Sequence, residues 1–121
     1  MPVTKKITIS APIETVWDVI TDIQKYPEFI KELKGVRLVK TEGNVKTATY
    51  EVEIIKKIEY TLRLVEDRPR KVTWTMVKGQ MMSRNDGSWE LKDLGAGRTE
   101  ADGAAAEGFD ALVISSGKPF T

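Results

Sequence analysis

The chain of 121 residues contains no cysteine and no histidine. Without cysteine there is no disulfide framework, no thiolate nucleophile and no Cys-ligated zinc or iron–sulfur site. Without histidine there is no Ser-His-Asp triad, no His-bound zinc or haem, and no side chain that ordinarily titrates near neutrality. Any acid–base chemistry falls to Asp, Glu, Lys or Tyr with a displaced pKa. A break in activity near neutral pH would therefore come from a desolvated carboxylate. Neither a metal nor another cofactor is expected.

Charge of one sign is also scarce. Nineteen basic residues face 18 acidic ones for a net charge of +1. That lacks the large positive excess of a dedicated nucleic-acid binder, so no nucleic-acid partner is expected. No apolar run approaches the roughly 18 residues that span a bilayer. Lys5 and Lys6 are followed by no apolar core of a signal peptide, so the expected compartment is the cytoplasm and no integral membrane segment is expected. What remains is the balance of one globular domain, with 40% hydrophobic and 31% charged residues.

The pattern opens on a strand: Val3, Lys5, Ile7 and Ile9 alternate with Thr4, Lys6 and Thr8. The period then changes. Pro12 suits a first helical position and Glu14 the first turn, while Ile13, Val16, Trp17 and Ile20 recur at helical spacing. A second short helix is expected around Tyr26-Pro27-Glu28-Phe29-Ile30, with Leu33 on the same face and Gly35 as its stop.

Strand follows strand after Gly35. Val36–Thr41 precedes a turn at 42–44, and Lys46–Ile55 alternates with Ala48, Tyr50, Val52 and Ile54 on one side. Ile58, Tyr60, Leu62 and Leu64 repeat the pattern. A turn at 67–70 leads to Val72, Trp74 and Met76, then Met81–Leu91 brings Trp89 and Leu91 inward. Residues 94–97 turn the chain into a strand that begins Arg98-Thr99-Glu100. Sustained alternation implies an antiparallel meander with one apolar face, which a sheet of this size curls around and must cover.

The end of the chain departs from this pattern. Residues 100–121 carry Glu100, Asp102, Glu107 and Asp110 against Lys118, a net charge of −3 that leaves +4 on residues 1–99. The run 101–108 abandons the alternation, and only Phe109–Ser115 is apolar enough to bury itself. Gly103 and Gly108 interrupt the helical propensity of the alanines. The expected organisation is a domain over 1–100 and an atypical tail over 101–121.

The order strand, helix, short helix, then about six antiparallel strands resembles the helix-grip fold of the START-like, birch-pollen-allergen-type superfamily. Four phrases resemble its bacterial polyketide cyclase/dehydrase and coenzyme-Q-binding branch. They are Ile9-Ser10-Ala11-Pro12-Ile13-Glu14-Thr15-Val16-Trp17, Asp22 with Tyr26-Pro27-Glu28-Phe29, Gly87-Ser88-Trp89-Glu90-Leu91, and Gly97-Arg98-Thr99. The resemblance implies an α+β fold: a curved antiparallel sheet of about six to seven strands with two short helices after the first. It also implies a long terminal helix across the concave face, which the residues after Glu100 do not provide, so that helix is expected to be absent or replaced. A truncated or frame-shifted reading of a longer ancestor would give this pattern. Translation of the downstream DNA in all three frames tests it, and the lack of a family-like helix in every frame would overturn it.

By alternation the concave face carries Tyr50, Val52, Ile54, Tyr60, Leu62, Trp74, Met76, Trp89 and Leu91, with Tyr26 and Phe29 at its rim. These residues can form an apolar site for a flat or long hydrophobic molecule, or they can simply be core. Tyr50 and Tyr60 favour the first reading more than the aliphatics do, because a buried phenol needs a hydrogen-bond partner that a ligand can supply. Ser83, Asn85 and Gly87 share parity with Trp89 and either line the same face or mark a frayed strand end. The candidate ligand-binding set is Tyr26, Phe29, Tyr50, Val52, Tyr60, Leu62, Trp74, Met76, Asn85 and Trp89. Trp17 is expected to pack the first helix onto the sheet instead.

Three functions are compatible with such a face. One is a carrier or sensor for a lipid, quinone or polyketide-like molecule. Another is an aromatase/cyclase, against which stands the lack of Asp or Glu on the inward rows of the core strands. The third is a protein-interaction module of the ribosome-association toxin type, implied by the superfamily. The sequence favours binding without catalysis. It also leads to a homodimer, because a sheet without its terminal helix would expose more apolar surface than a soluble monomer tolerates.

Overall fold

The computed structural model describes residues 3–28, 30–53, 55–79 and 86–105. Seven strands and two short helices follow one another as β1 (Val3–Ile9), α1 (Ile13–Thr21), a 3-10 helix (Ile23–Glu28), β2 (Leu33–Glu42), β3 (Val45–Glu53), β4 (Lys57–Asp67), β5 (Lys71–Gly79), β6 (Gly87–Gly95) and β7 (Arg98–Ala105). All strands pair antiparallel in one sheet of order β1-β7-β6-β5-β4-β3-β2. Among the described strands, only the β1–β7 pairing joins distant parts of the chain; every other neighbour follows its partner directly in sequence, as the alternation and turn residues lead one to expect. The result is the helix-grip arrangement of a curved sheet with two short helices inserted after its first strand. No helix among the described residues is long and apolar enough to cross a membrane.

The helix α1 forms for the reasons its sequence shows, with one adjustment. Pro12 is the residue before the first helical position, with extended backbone (φ −62, ψ 153), and its carbonyl accepts the first intrahelical bond from Val16 N at 3.1 Å. Val16, Trp17 and Ile20 form the buried stripe. Thr99 Oγ1 donates to Ala11 O at 2.8 Å and so ties the start of β7 to the loop that enters α1. Arg68, in the β4–β5 turn, reaches Glu14 and Asp18 of α1 at 3.4 Å each; these exposed pairs orient more than they stabilise.

The second helix differs from expectation. It spans Ile23–Glu28 as a 3-10 helix with Pro27 inside, and Leu33 belongs to β2, where it pairs with Val52. Gly35 is not a helix stop but a member of β2, beside a register shift between Leu33 and Gly35. Proline cannot donate within a continuing helix, and pairing with β3 captures the residues that helical spacing had grouped together.

The strand β7 also runs past the point where residue type stops alternating. Ala101, Gly103 and Ala105 are buried while Asp102 and Ala104 are half-buried, and the strand stays in register with both β1 and β6 to Ala105. Flanked on both sides, its backbone is held by two ladders, so small side chains suffice.

The core lies on one face of the sheet. Ala48, Tyr50 and Val52 of β3, Tyr60, Leu62 and Leu64 of β4, Val72 and Trp74 of β5, and Trp89 and Leu91 of β6 meet the stripe of α1 there. On the opposite face Thr49 and Thr61 stand across from one another with their hydroxyl oxygens 2.9 Å apart. That bond pairs the two buried hydroxyls with each other.

Candidate functional site

Strand register decides which side chains share the core-bearing face. Tyr50 lies opposite Tyr60, Leu62 opposite Met76, Leu64 opposite Trp74, and Val72 opposite Trp89. Antiparallel pairing preserves parity, so these alternating residues fall on one side. Of the ten candidates, Tyr50, Val52, Tyr60, Leu62, Trp74 and Trp89 are buried together, and Tyr26 and Met76 pack against them half-buried. Phe29 and Asn85 lie outside the described residues, as do Ile54 and Ser83. Tyr50 and Tyr60 are stacked, with ring centroids 5.2 Å apart and planes inclined by 7°. At a register shift between Thr61 and Leu62 the exposed Val77 is passed over in the pairing and Met76 lies opposite Leu62.

Each tryptophan of the face is seated over a glycine of the neighbouring strand. Trp74 pairs with Gly87 and Trp89 with Gly103. A Cβ on Gly87 would strike Trp74 Cζ2 and stand 2.5 Å from the Ala104 carbonyl oxygen; on Gly103 it would stand 2.7 Å from Trp89 Cζ3. Glycine at both positions lets the indoles lie down along the sheet. Gly87→Ala and Gly103→Ala are each expected to cost about 1–3 kcal/mol by overpacking. Thermal unfolding measures this, and an unchanged midpoint would mean that the indoles move aside freely.

The polar groups around the face are mostly committed. Tyr26 Oη donates to Ile20 O at 2.5 Å and so fastens the 3-10 helix to the end of α1. Asp86 is half-buried and accepts from Met76 N at 3.4 Å. Lys46 and Glu66 form an ion pair at 2.9 Å, with side chains 28% and 16% exposed. That pair corrects the expectation that no carboxylate shares the inward rows, since β4 continues to Asp67 and Glu66 keeps the parity of Leu64. Continuing the alternation two residues past Leu64 would have found it. Trp74 Nε1 is the one buried side-chain nitrogen or oxygen among the described residues with no hydrogen-bond partner. No group of three or more acidic residues among those described is placed to hold a metal ion.

Comparison with known proteins adds family and fold. The family model for polyketide cyclase/dehydrase and lipid transport matches residues 2–116. A curated relative from Streptomyces cyaneus, a polyketide cyclase by name, is 36% identical over 42 residues, which are 35% of this chain and 28% of its own length. The match thus spans less than a third of that relative. Among solved structures, the Zhui aromatase/cyclase of Streptomyces sp. R1128 superposes with a TM-score of 0.78 at 21% identity, over 95% of this chain and 74% of the other. A START superfamily protein of Mycobacterium smegmatis superposes with a TM-score of 0.77 at 15% identity, over 96% and 87% of the two chains. At these identities the superpositions establish the fold.

Proposed function

The chain belongs to the polyketide cyclase/dehydrase and lipid transport family, and on that premise we propose that its core-bearing sheet face binds a hydrophobic small molecule: a lipid, a quinone or a polyketide-like compound. The observation that carries the reading is the gathering of Tyr50, Tyr60, Trp74 and Trp89 on one face of the curved sheet. Aromatic surface with few polar groups suits a flat apolar occupant, because burial supplies affinity and a few donors supply orientation. Tyr26, Phe29, Val52, Leu62, Met76 and Asn85 complete the proposed lining.

Native mass spectrometry of the purified chain, joined to titration with an apolar dye, tests this. The expected result is a retained small molecule or a saturable change in tryptophan fluorescence that Trp74→Phe or Trp89→Phe removes. Absence of both would overturn the reading and favour a protein partner. The same spectrum reports oligomeric state. The described residues of this face are buried within a single chain, and a doubled mass would reveal the homodimer that the sequence leads one to expect.

Catalysis is the second reading, favoured by the cyclase names of two similar proteins. If Tyr50→Phe and Tyr60→Phe lower turnover of a poly-β-ketone more than its binding, the face is an active site. Equal effects on both mark a carrier.

A further inference from the structure

We infer that the occupant of this face presents a carbonyl oxygen to the indole N–H of Trp74. The inference rests on the proposed binding role and adds to it the chemical class of the ligand and the residue that orients it. Trp74 is 6% exposed, and its Nε1 has no acceptor among the described residues. Buried donors in folded proteins are almost always paired, so one left without a partner beside an aromatic face marks a place where something else can accept.

The donor is held in place by its neighbours. Trp74 lies between Leu64 of β4 and Gly87 of β6. The Cβ that Gly87 lacks would meet Trp74 Cζ2 and, at 2.7 Å, Cε2, the ring carbon bonded to Nε1. The nitrogen-bearing edge of the indole is therefore the edge that the glycine admits. Two carboxylates close by in the strand register have other partners: Asp86 Oδ1, next to Gly87 in the chain, accepts from Met76 N at 3.4 Å, and Glu66, two residues from Leu64, pairs with Lys46 at 2.9 Å. An indole nitrogen donates and does not accept. It therefore selects an oxygen acceptor on an otherwise apolar molecule and gives no advantage to a bare hydrocarbon or a cation.

Two probes of nearly equal shape test this, 2-acetylnaphthalene and 2-ethylnaphthalene, with methyl decanoate as a third. The full-length chain is labelled with nitrogen-15 at its three indoles, and Trp74→Phe assigns the Trp74 signal. The ketone is expected to move the Trp74 indole proton downfield and to bind roughly three- to tenfold tighter than the hydrocarbon, the yield of one neutral hydrogen bond. Trp74→Phe should bind the two naphthalenes equally. Replacing Trp74 by benzothienylalanine, which keeps the shape and lacks the N–H, gives the same comparison should the phenylalanine variant fold poorly. A downfield shift with methyl decanoate as well would identify a lipid ester as an equivalent source of the carbonyl; a shift with the ketone alone would identify a flat aryl ketone. Equal affinities in the unaltered protein, or a ketone preference that survives loss of the N–H, would overturn the inference and leave the binding role standing. Failure of all three probes to bind would remove the binding role itself.

Discussion

Trp17→Ala is expected to destabilise the protein by about 3–5 kcal/mol, the cost of truncating a large, fully buried aromatic. Trp17 is 1% exposed and is central to the buried stripe of α1. The helix has 9 residues and no side-chain hydrogen bond at its N-cap, so little within it favours the helical state in isolation. Its stability comes from packing against the sheet. A loss of this size is a large fraction of the roughly 5–15 kcal/mol that holds a domain folded. Urea unfolding followed by far-UV circular dichroism measures it, with Arg68→Ala as the comparison. Arg68 is exposed and contributes only surface ion pairs to α1, so its loss should be small. A cost below about 1 kcal/mol for Trp17→Ala would show that the sheet retains its core without the helix.

Tyr60→Ala is expected to cost a similar 3–5 kcal/mol and, in the protein that remains folded, to weaken binding of aromatic probes. Tyr60 is 1% exposed, lies directly opposite Tyr50 and stacks on it. A double-mutant cycle with Tyr50→Ala isolates the ring–ring contribution, expected at about 0.5–1.5 kcal/mol beyond the area buried. Tyr60→Phe keeps the ring and should retain most of the stability. If Tyr60→Ala costs no more than Tyr60→Phe, the stack contributes nothing to the fold and the aromatic floor is not a unit.

The two expectations draw on different levels of information. Trp17 was legible because Ile13, Val16, Trp17 and Ile20 recur at helical spacing, and the structure buries the last three. Tyr50, Tyr60, Trp74 and Trp89 were legible as one face because each holds the alternation of its own strand, and their burial in one cluster shows those rows facing the same way. The stacking of Tyr50 on Tyr60 was not legible. It depends on the pairing offset of β3 and β4, and a shift of two residues would have kept both rings inward and separated them.

Sequence by itself determined the excluded chemistries, the meander, the helix after the first strand and the apolar face of the central strands, because each follows from residue type and local period. Tertiary structure alone decided three things. Gly35 became part of a strand because β3 offered its backbone a ladder that the short 3-10 helix, with Pro27 inside it and its end at Glu28, could not. Ala101, Gly103 and Ala105 became interior positions of a strand because β1 and β6 pair with β7 on both sides and Trp89 needs the space above Gly103. The Trp74 N–H has no hydrogen-bond partner among the described residues, while Asp86, next to its cross-strand neighbour Gly87, accepts from Met76 N instead. These outcomes depend on residues distant in the chain that meet only after the sheet has closed over its core, and a hydrogen bond or a steric contact is a property of that meeting.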